Sequence, residues 1–208
     1  MRLGIVLFML VFGQAAVAQS TPGCNTTQTA LVQTALDNAK GLTIKAAARV
    51  GDTAEYERWF GDYSPQNGEH VRATLKSIVT AIRSGAVITQ CDTIRDDGCM
   101  DGEYAWVYPH QPYKIHLCPS FFDLPPLVAL RPGTTASNNG TREGTLVHEI
   151  SHFDPVARTD DYCYTRRDCA AMARRDPARA VDNADSYQYF TEDVTYYARQ
   201  PVAGKSAP

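Results

Sequence analysis

The sequence lacks an excess of basic residues, an internal repeat and, after residue 18, any long hydrophobic run. A membrane-spanning helix needs about 20 consecutive apolar residues, and no stretch after residue 18 meets that length. The 23 acidic residues outnumber the 20 lysines and arginines, for a formal net charge of −3, whereas nucleic-acid-binding domains are usually basic over one face. We therefore expect neither a nucleic-acid partner nor a membrane association for the chain beyond residue 18.

The first 18 residues have the pattern of a secretory signal peptide. Arg2 supplies a positive charge, residues 3–12 are apolar, and Ala-Val-Ala at residues 16–18 has the small residues of a cleavage site. Residues 19–208 are long enough to form one domain with a substantial core, and no linker divides them. We expect a secreted monomer, extracellular or periplasmic, with a loose polar tail over about residues 201–208.

Six cysteines follow the predicted signal peptide, and an even number in an exported chain predicts disulfides. Six cysteines allow about 15 pairings, and their positions alone do not choose among them. Cys163 and Cys169 are close neighbours on either side of a short loop. Their spacing is wider than the C-x-x-C pattern of zinc ligands, so we favour a disulfide role over zinc binding.

Hydrophobic periodicity predicts that most of the chain is helical. The predicted helices are Thr26 to about Arg49, Gly68 to Arg83, Gly144 to just before Pro155, Arg166 to Arg175, and Ala184 to about Arg199. Between the first two helices, Trp59-Phe60-Gly61 is predicted to be a turn with exposed or half-buried aromatic rings.

Three short runs of β-branched and aromatic residues predict a small antiparallel sheet in the middle of the chain. They are Ala86 to Gln90, Tyr104 to Tyr108, and Lys114 to Cys118.

Trp106 and Tyr108 could line a cleft, although a packing role is favoured. His110 and His116 are expected at the surface or on a sheet face rather than at a metal. The fold class is α+β: a mostly helical single domain with a small antiparallel sheet.

His148-Glu149-Ile150-Ser151-His152 matches the H-E-x-x-H pattern of zinc hydrolases. Residues four apart lie on one face of a helix, so His148 and His152 can present their imidazoles to one metal ion. Glu149 can reach a metal-bound water from the side. The opposite face carries an apolar stripe of Leu146, Ile150 and Phe153. A chance match is disfavoured, because one helix accommodates both a metal face and a core face.

The third zinc ligand is less clearly specified. A catalytic zinc site has three protein ligands and an open position for water. The metzincin spacing would require a histidine where this chain has Arg158, and a thermolysin-like site would need a later glutamate, for which Glu192 has no supporting pattern. The acid pair Asp160-Asp161 remains, eight and nine residues beyond His152. A loop of that length can bring a carboxylate back to the metal.

Three segments resemble the aspzincins, the deuterolysin-type zinc endopeptidases, and within them the peptidyl-Lys metalloendopeptidase branch. The segments are Thr145–Phe153, Thr159–Tyr164 and Asn183–Glu192. Further counterparts are Cys24, Trp59-Phe60-Gly61, Tyr104–Pro109 and Leu117-Cys118. The resemblance covers nearly the whole chain after residue 18 and implies a zincin-like catalytic domain.

By this resemblance, His148, His152 and Asp161 are ligands of one Zn²⁺ ion. Glu149 is implied as the general base, which takes a proton from the zinc-bound water and passes it to the leaving amine. Tyr164 is implied to donate a hydrogen bond to the oxyanion of the tetrahedral intermediate.

The resemblance also implies two disulfides, Cys24–Cys91 and Cys99–Cys118. Cys163 and Cys169 have no counterpart in the family, and we expect a third disulfide, Cys163–Cys169, that stiffens the segment after Asp161. Thr159 and Asp160 are expected to shape this loop rather than to bind zinc.

Lysine selectivity in this branch is attributed to acidic residues that face the substrate side chain on the primed side of the scissile bond. Asp185 matches one of them, but Gln188 stands where a glutamate is expected. A pair of carboxylates suits an ammonium group better than one carboxylate and one amide. Either the selectivity persists through a hydrogen bond to Gln188, or it broadens to admit arginine.

The implied function is hydrolysis of protein or peptide substrates on the amino side of lysine. A broader deuterolysin-like protease and a protease toxin directed at one partner protein stay open as alternatives. A non-catalytic binding module stabilised by zinc is disfavoured, because a structural zinc site needs neither Glu149 nor Tyr164.

Overall fold

The computed structural model of the chain describes residues 21–130 and 135–197. The predicted signal peptide (residues 1–18) and the predicted loose tail lie outside these residues. Within the described part, helices dominate and the strands form one small sheet, so the α+β class is confirmed. None of the helices described is long and apolar enough to cross a membrane.

Seven α-helices and three strands form the described part of the chain. The helices are α1 (Thr26–Arg49), α2 (Ala54–Phe60), α3 (Pro65–Arg83), α4 (Arg142–Ser151), α5 (Arg166–Arg175), α6 (Pro177–Ala180) and α7 (Ala184–Tyr197). The strands are β1 (Ile88–Cys91), β2 (Ala105–Val107) and β3 (Lys114–Leu117). Short 3₁₀ helices lie at Asp97–Cys99, Pro119–Asp123, Leu127–Ala129 and Thr135–Asn139.

Local capping chemistry explains where the first long helices begin. The Asn25 side chain accepts a hydrogen bond from the Gln28 backbone, and the Gln28 side chain accepts one from the Asn25 backbone. This capping box starts α1. α3 starts at Pro65, three residues before the predicted start, because Ser64 caps the helix and proline fits its first turn.

The segment around Trp59 is a helix, and the predicted turn with exposed rings is wrong. Trp59 and Phe60 lie in α2 and are buried. Their rings pack 5.1 Å from Tyr189 and 5.3 Å from Phe190, both on α7. Seven residues are too few to show a helical period clearly, so tertiary burial against α7 decides the conformation.

The sheet is mixed, and the expected antiparallel arrangement is wrong for one of its two pairs. β3 lies between the other strands, parallel to β1 and antiparallel to β2. Strands that follow one another in the chain usually pair, but β2 lies on the far side of β3 from β1. Strand composition predicts an extended segment without specifying its partner.

Three disulfides are present in the structure, and their pairings are those expected. Cys24–Cys91 ties the segment before α1 to the end of β1. Cys99–Cys118 ties the first 3₁₀ helix to the residue after β3. Cys163–Cys169 closes the segment that leads into α5.

The motif helix α4 lies against the helical core. It packs on α1, α3 and α7, and the apolar stripe of Leu146, Ile150 and, just beyond the helix, Phe153 is fully buried. Each such side chain contributes roughly 1.5–3 kcal/mol when it leaves water. The apolar face therefore fixes α4 in the core and leaves the histidine face free for a site.

A buried ion network joins α5 to α7. The Arg166 guanidinium donates to Glu192 at 2.5 Å and to Asp193 at 2.6 Å, and it lies 4.6 Å from the centre of the Tyr189 ring. Burial raises the pKa of Glu192 to about 7, although Arg166 opposes the rise. Glu192, the later glutamate that a thermolysin-like site would need, therefore belongs to this network and not to the metal cluster of the described residues.

We predict that Arg166→Met lowers the free energy of unfolding by about 3–5 kcal/mol, because it leaves two buried carboxylates without their cation. Arg167→Met is the matched control. Arg167 pairs with Asp168 on the surface, where an ion pair contributes little, so its loss should be unmeasurable. Urea unfolding of both variants checks this, and equal stabilities would contradict the role given to Arg166.

Candidate metal centre and substrate cleft

α4 brings two imidazoles to one point. His148 lies in its last turn, and His152 directly follows the helix with a helical backbone conformation. Their Nε2 atoms are 3.0 Å apart. The spacing of the motif therefore has the consequence expected from it, although the helix itself ends at Ser151.

The segment of residues 158–164, called the ligand loop below, turns back and places Asp161 beside both histidines. One carboxylate oxygen lies 3.3 Å from Nε2 of His148, and the other lies 3.4 Å from Nε2 of His152. The loop begins with Arg158 at a φ of 53°, a left-handed conformation that reverses the chain. Of the acid pair, Asp161 and not Asp160 joins the histidines in the cluster.

The spacing of these three donors fits a zinc ion. In a tetrahedral site with bonds of about 2.0–2.1 Å, ligand atoms lie roughly 3.3 Å from one another. The separations of 3.0, 3.3 and 3.4 Å are close to that value. Two imidazole nitrogens and one carboxylate are also a donor set that zinc accepts, and three protein ligands leave a fourth position for water.

Both histidines are oriented by a hydrogen bond on the opposite ring nitrogen. Nδ1 of His148 donates to the Asp185 carboxylate at 2.9 Å, and Nδ1 of His152 donates to the Thr159 carbonyl at 2.7 Å. The hydroxyls of Thr159 and Ser151 lie 2.6 Å apart and hold this part of the ligand loop on α4. With the protons on Nδ1, each Nε2 keeps its lone pair for a metal.

The charges around His148 suit a cation at this point. Burial opposes a charge on its imidazole, yet Asp185, Glu149 and Asp161 raise the pKa of His148 to about 10. Burial also raises the pKa of Glu149 to about 7, and burial together with His148 lowers the pKa of His152. Three carboxylates thus surround two imidazoles, a balance that a divalent cation would complete.

A cleft of about 660 Å³ opens over the three candidate ligands. Strand β2 and its flanking residues form one wall, and most of the rest comes from α4, the ligand loop and α7, with Asn138 and Asn139 before α4. β2 is an edge strand, so an extended peptide could pair with it. The carboxylates that line the cleft are Glu103, Glu149, Asp160, Asp161 and Asp185, and no lysine or arginine of the described segments joins them.

Trp106 lines this cleft, and its ring also has the packing role that was favoured. It stacks on the His116 ring with 3.9 Å between the centroids, and a Cβ on Gly98 would lie 2.4 Å from the indole. His116 is buried, and its Nδ1 lies 2.8 Å from the Asp92 carboxylate. Of the two expected places, His116 takes the sheet face and not the surface, and its ring supports the Trp106 side of the cleft.

Tyr164 lies at the cleft with 65% of its surface exposed. Its carbonyl accepts a hydrogen bond of 2.8 Å from the Tyr189 hydroxyl. Burial and the nearby carboxylates of Asp161 and Asp185 raise the pKa of the Tyr164 phenol. The phenol therefore stays protonated at neutral pH and can act as a hydrogen-bond donor.

A family model with the description "Lysine-specific metallo-endopeptidase", Aspzincin_M35, matches residues 45–192. This range is well over half of the chain and contains all of the candidate metal and substrate residues. The chain belongs to the aspzincin family. Zinc is the metal of this family, in agreement with the donor set and its spacing.

Relatives of this aspzincin come from bacteria and fungi. An "Extracellular protease" of Aeromonas hydrophila is 33% identical over 175 residues, which are 82% of this chain and 46% of that protein. A "Peptidyl-Lys metalloendopeptidase" of Pleurotus ostreatus is 30% identical over 82% of this chain and 95% of that protein. The chain spans about half the length, or less, of several curated relatives, including the Aeromonas protein.

A solved structure, the zinc peptidase from Grifola frondosa, matches the fold of this aspzincin. The TM-score is 0.69 at 26% sequence identity, and the match covers 82% of this chain and 97% of the other. At that identity the likeness extends beyond the fold to the sequence.

In this aspzincin Gln188 is buried in the cleft wall, close to the start of α4. A Cβ on Gly140 would lie 1.8 Å from the Gln188 amide nitrogen, and one on Gly144 would lie 2.9 Å from its Cγ. Gly140 also has a φ of 75°, which disfavours larger residues independently. These two glycines let α7 approach α4 closely enough for residue 188 to reach the cleft.

Sequence reasoning missed the contact between Asp185 and His148. Asp185 was expected to face substrate, and it does line the cleft, but one of its oxygens is engaged by the imidazole. The two residues are 37 positions apart, so chain order carries no signal of their contact. The resemblance of the Asn183–Glu192 segment to the family marked the residue but not this role.

We predict that Asp185→Ala weakens zinc binding by about 10–100-fold, the usual cost of losing a partner that orients a metal ligand. Asp182→Ala is the matched control, since it removes one carboxylate from the same segment and leaves the His148 contact intact. Competition with a chelating dye measures both affinities. Normal zinc affinity in Asp185→Ala, with a defect only in cleavage, would limit Asp185 to substrate recognition.

Proposed function

We propose that this protein is a secreted zinc-dependent endopeptidase that hydrolyses peptide bonds on the amino side of lysine. The observation that carries the proposal is the convergence of His148, His152 and Asp161 beside Glu149 in an open cleft. A purely structural zinc site is closed by a fourth protein ligand, whereas this cluster has three members and borders a cleft.

The residues of the cleft have the chemistry that hydrolysis needs. When bound, zinc lowers the pKa of a water molecule and polarises the scissile carbonyl. Glu149 accepts a proton from the attacking water and delivers it to the amine nitrogen as the C–N bond breaks. The oxygen of the water becomes part of the new carboxylate. Tyr164 donates a hydrogen bond to the carbonyl oxygen as negative charge develops there.

The charge of the cleft favours a cationic substrate side chain. Its lining has five carboxylates, and Asp185 and Gln188 lie one helical turn apart on α7. One Asp185 oxygen holds His148, and the other remains for an ammonium group, with the Gln188 amide oxygen as a second acceptor. The name of the Pleurotus relative, a "Peptidyl-Lys metalloendopeptidase", supports lysine as the recognised residue.

Secretion is supported by three observations. The first 18 residues have the pattern of a signal peptide, and three disulfides join all six cysteines. Disulfides of this kind persist in oxidising compartments. The Aeromonas relative also carries the name of an extracellular protease.

We predict chelator-sensitive digestion of an unfolded protein mixture, with new amino termini at lysine when the products are read by mass spectrometry. Glu149→Gln should bind zinc normally and lose about 10²–10⁴-fold in turnover, because it removes the general base. Glu143→Gln, on the same helix but outside the cleft, is the control. Cuts that ignore lysine would refute the specificity, and the absence of metal-dependent cuts would refute the enzyme.

We predict that the side chain at position 188 determines how strongly the enzyme prefers lysine substrates. Gln188→Glu should raise kcat/KM for lysine substrates by about 5–10-fold, since a charged acceptor adds roughly 1 kcal/mol. Gln188→Met has a similar shape without an acceptor and should lower it. Paired peptides that differ only in lysine, arginine or norleucine at the cleavage site measure the series. The same preference in all three proteins would remove residue 188 from substrate recognition.

A further inference from the structure

Asp161 is held in the candidate metal centre by its backbone. Its side chain is 32% exposed, and the two contacts described for its carboxylate are with the imidazoles of His148 and His152. Both imidazoles are themselves candidate ligands, so these contacts do not anchor the Asp161 carboxylate to any other part of the protein. The placement of the third ligand therefore depends on what holds the ligand loop on either side of it.

Four hydrogen bonds from the segment before and at the start of α7 hold the loop. The Asp160 N–H donates to the Asp182 carbonyl at 2.8 Å, and the Ala184 N–H donates to the Asp160 carbonyl at 3.0 Å. After Asp161, the backbone N–H groups of the next two residues, Tyr162 and Cys163, both donate to one side-chain oxygen, Oδ1 of Asn183, at 2.8 and 3.2 Å. Asp161 is thus bracketed on both sides.

The Asn183 side chain accepts hydrogen bonds from the ligand loop and not from the first turn of α7. An asparagine directly before a helix normally uses Oδ1 to cap the first turn, but this oxygen receives two N–H groups of the loop. The residue is fully buried, and its amide nitrogen lies 3.4 Å from the Ser186 hydroxyl. Its position leaves little freedom for the amide to turn away from the loop.

We propose that Asn183 is a positioning residue for the third metal ligand, setting the place of Asp161 through the two N–H groups that follow it. The inference rests on the proposed function of the site and adds to it a residue that positions one of its ligands. Asp185 lies two residues further on and orients His148. The short segment of residues 183–185, at the start of α7, thus positions two of the candidate ligands, Asp161 through the ligand loop and His148 directly.

Of these four hydrogen bonds, the Asn183 side chain supplies the two that a substitution can remove. The other two join backbone groups and persist in any variant. Asn183→Ala should release the loop after Asp161 and weaken zinc affinity by about 10–100-fold, as expected for a partner outside the ligand set. Asn183→Asp keeps an acceptor at the same place and should stay close to the unchanged protein.

Tyr187→Phe is the matched control for general destabilisation. The Tyr187 hydroxyl, on α7, donates to the Val181 carbonyl at 2.7 Å and not to a residue of the ligand loop. Its removal should lower the unfolding midpoint without changing zinc affinity. Should Asn183→Ala not fold, Asn183→Ser replaces it, because its hydroxyl is one bond shorter and cannot serve both N–H groups.

The experiment is chelator-dye competition for zinc, with thermal unfolding of the metal-free proteins alongside. Weaker zinc binding in Asn183→Ala or Asn183→Ser, restored in Asn183→Asp and unchanged in Tyr187→Phe, supports the proposal. Unchanged zinc affinity in the alanine or serine variant, or equal losses in Asn183→Asp, would overturn it. Failure of the unchanged protein to bind zinc would instead refute the proposed function, so the two outcomes are distinct.

Discussion

The packing of α7 against the start of α4 is the constraint on which the rest of the site depends. Glu192 of α7 accepts hydrogen bonds from the backbone N–H and the hydroxyl of Thr141, the residue that caps α4. The same carboxylate is paired with Arg166, so a buried charge that would be costly alone is satisfied on both sides. Gly140 and Gly144 leave the space that this close approach needs.

This packing gives α7 control over both the metal position and the cleft. From its first turn, Asp185 reaches the outer nitrogen of His148, and Gln188 reaches the cleft wall one turn later. Just before the helix, Asn183 holds the ligand loop. The motif helix supplies the histidines, but α7 orients His148, and the residue before α7 holds the loop that carries Asp161.

The electrostatics of the site follow from the same arrangement. Because α7 packs against α4, Asp185 of α7 lies near Glu149 and Asp161. These three carboxylates surround the imidazoles of His148 and His152. Such an excess of negative charge is unfavourable unless a cation is present. The demand for positive charge at the centre of the cleft thus fits both a bound zinc ion and a basic substrate side chain near it.

Much of the site was predictable from local patterns, because helical spacing alone places two histidines together and leaves an apolar stripe for the core. Resemblance to the aspzincins added Asp161, Tyr164 and Asp185 as named positions. The conformation around Trp59, the mixed sheet and the burial of His116 were not predictable, because each depends on a partner distant in the chain.

By itself the sequence determined the motif helix, the candidate donors and the family, since these depend on residue types at short spacing. Only the tertiary structure decided that Asp185 holds His148, that Asn183 holds the ligand loop and that Trp106 borders the cleft. The physical reason is that these hydrogen bonds and packing contacts join residues tens of positions apart in the chain. Their separation in sequence does not indicate how close they lie in the fold.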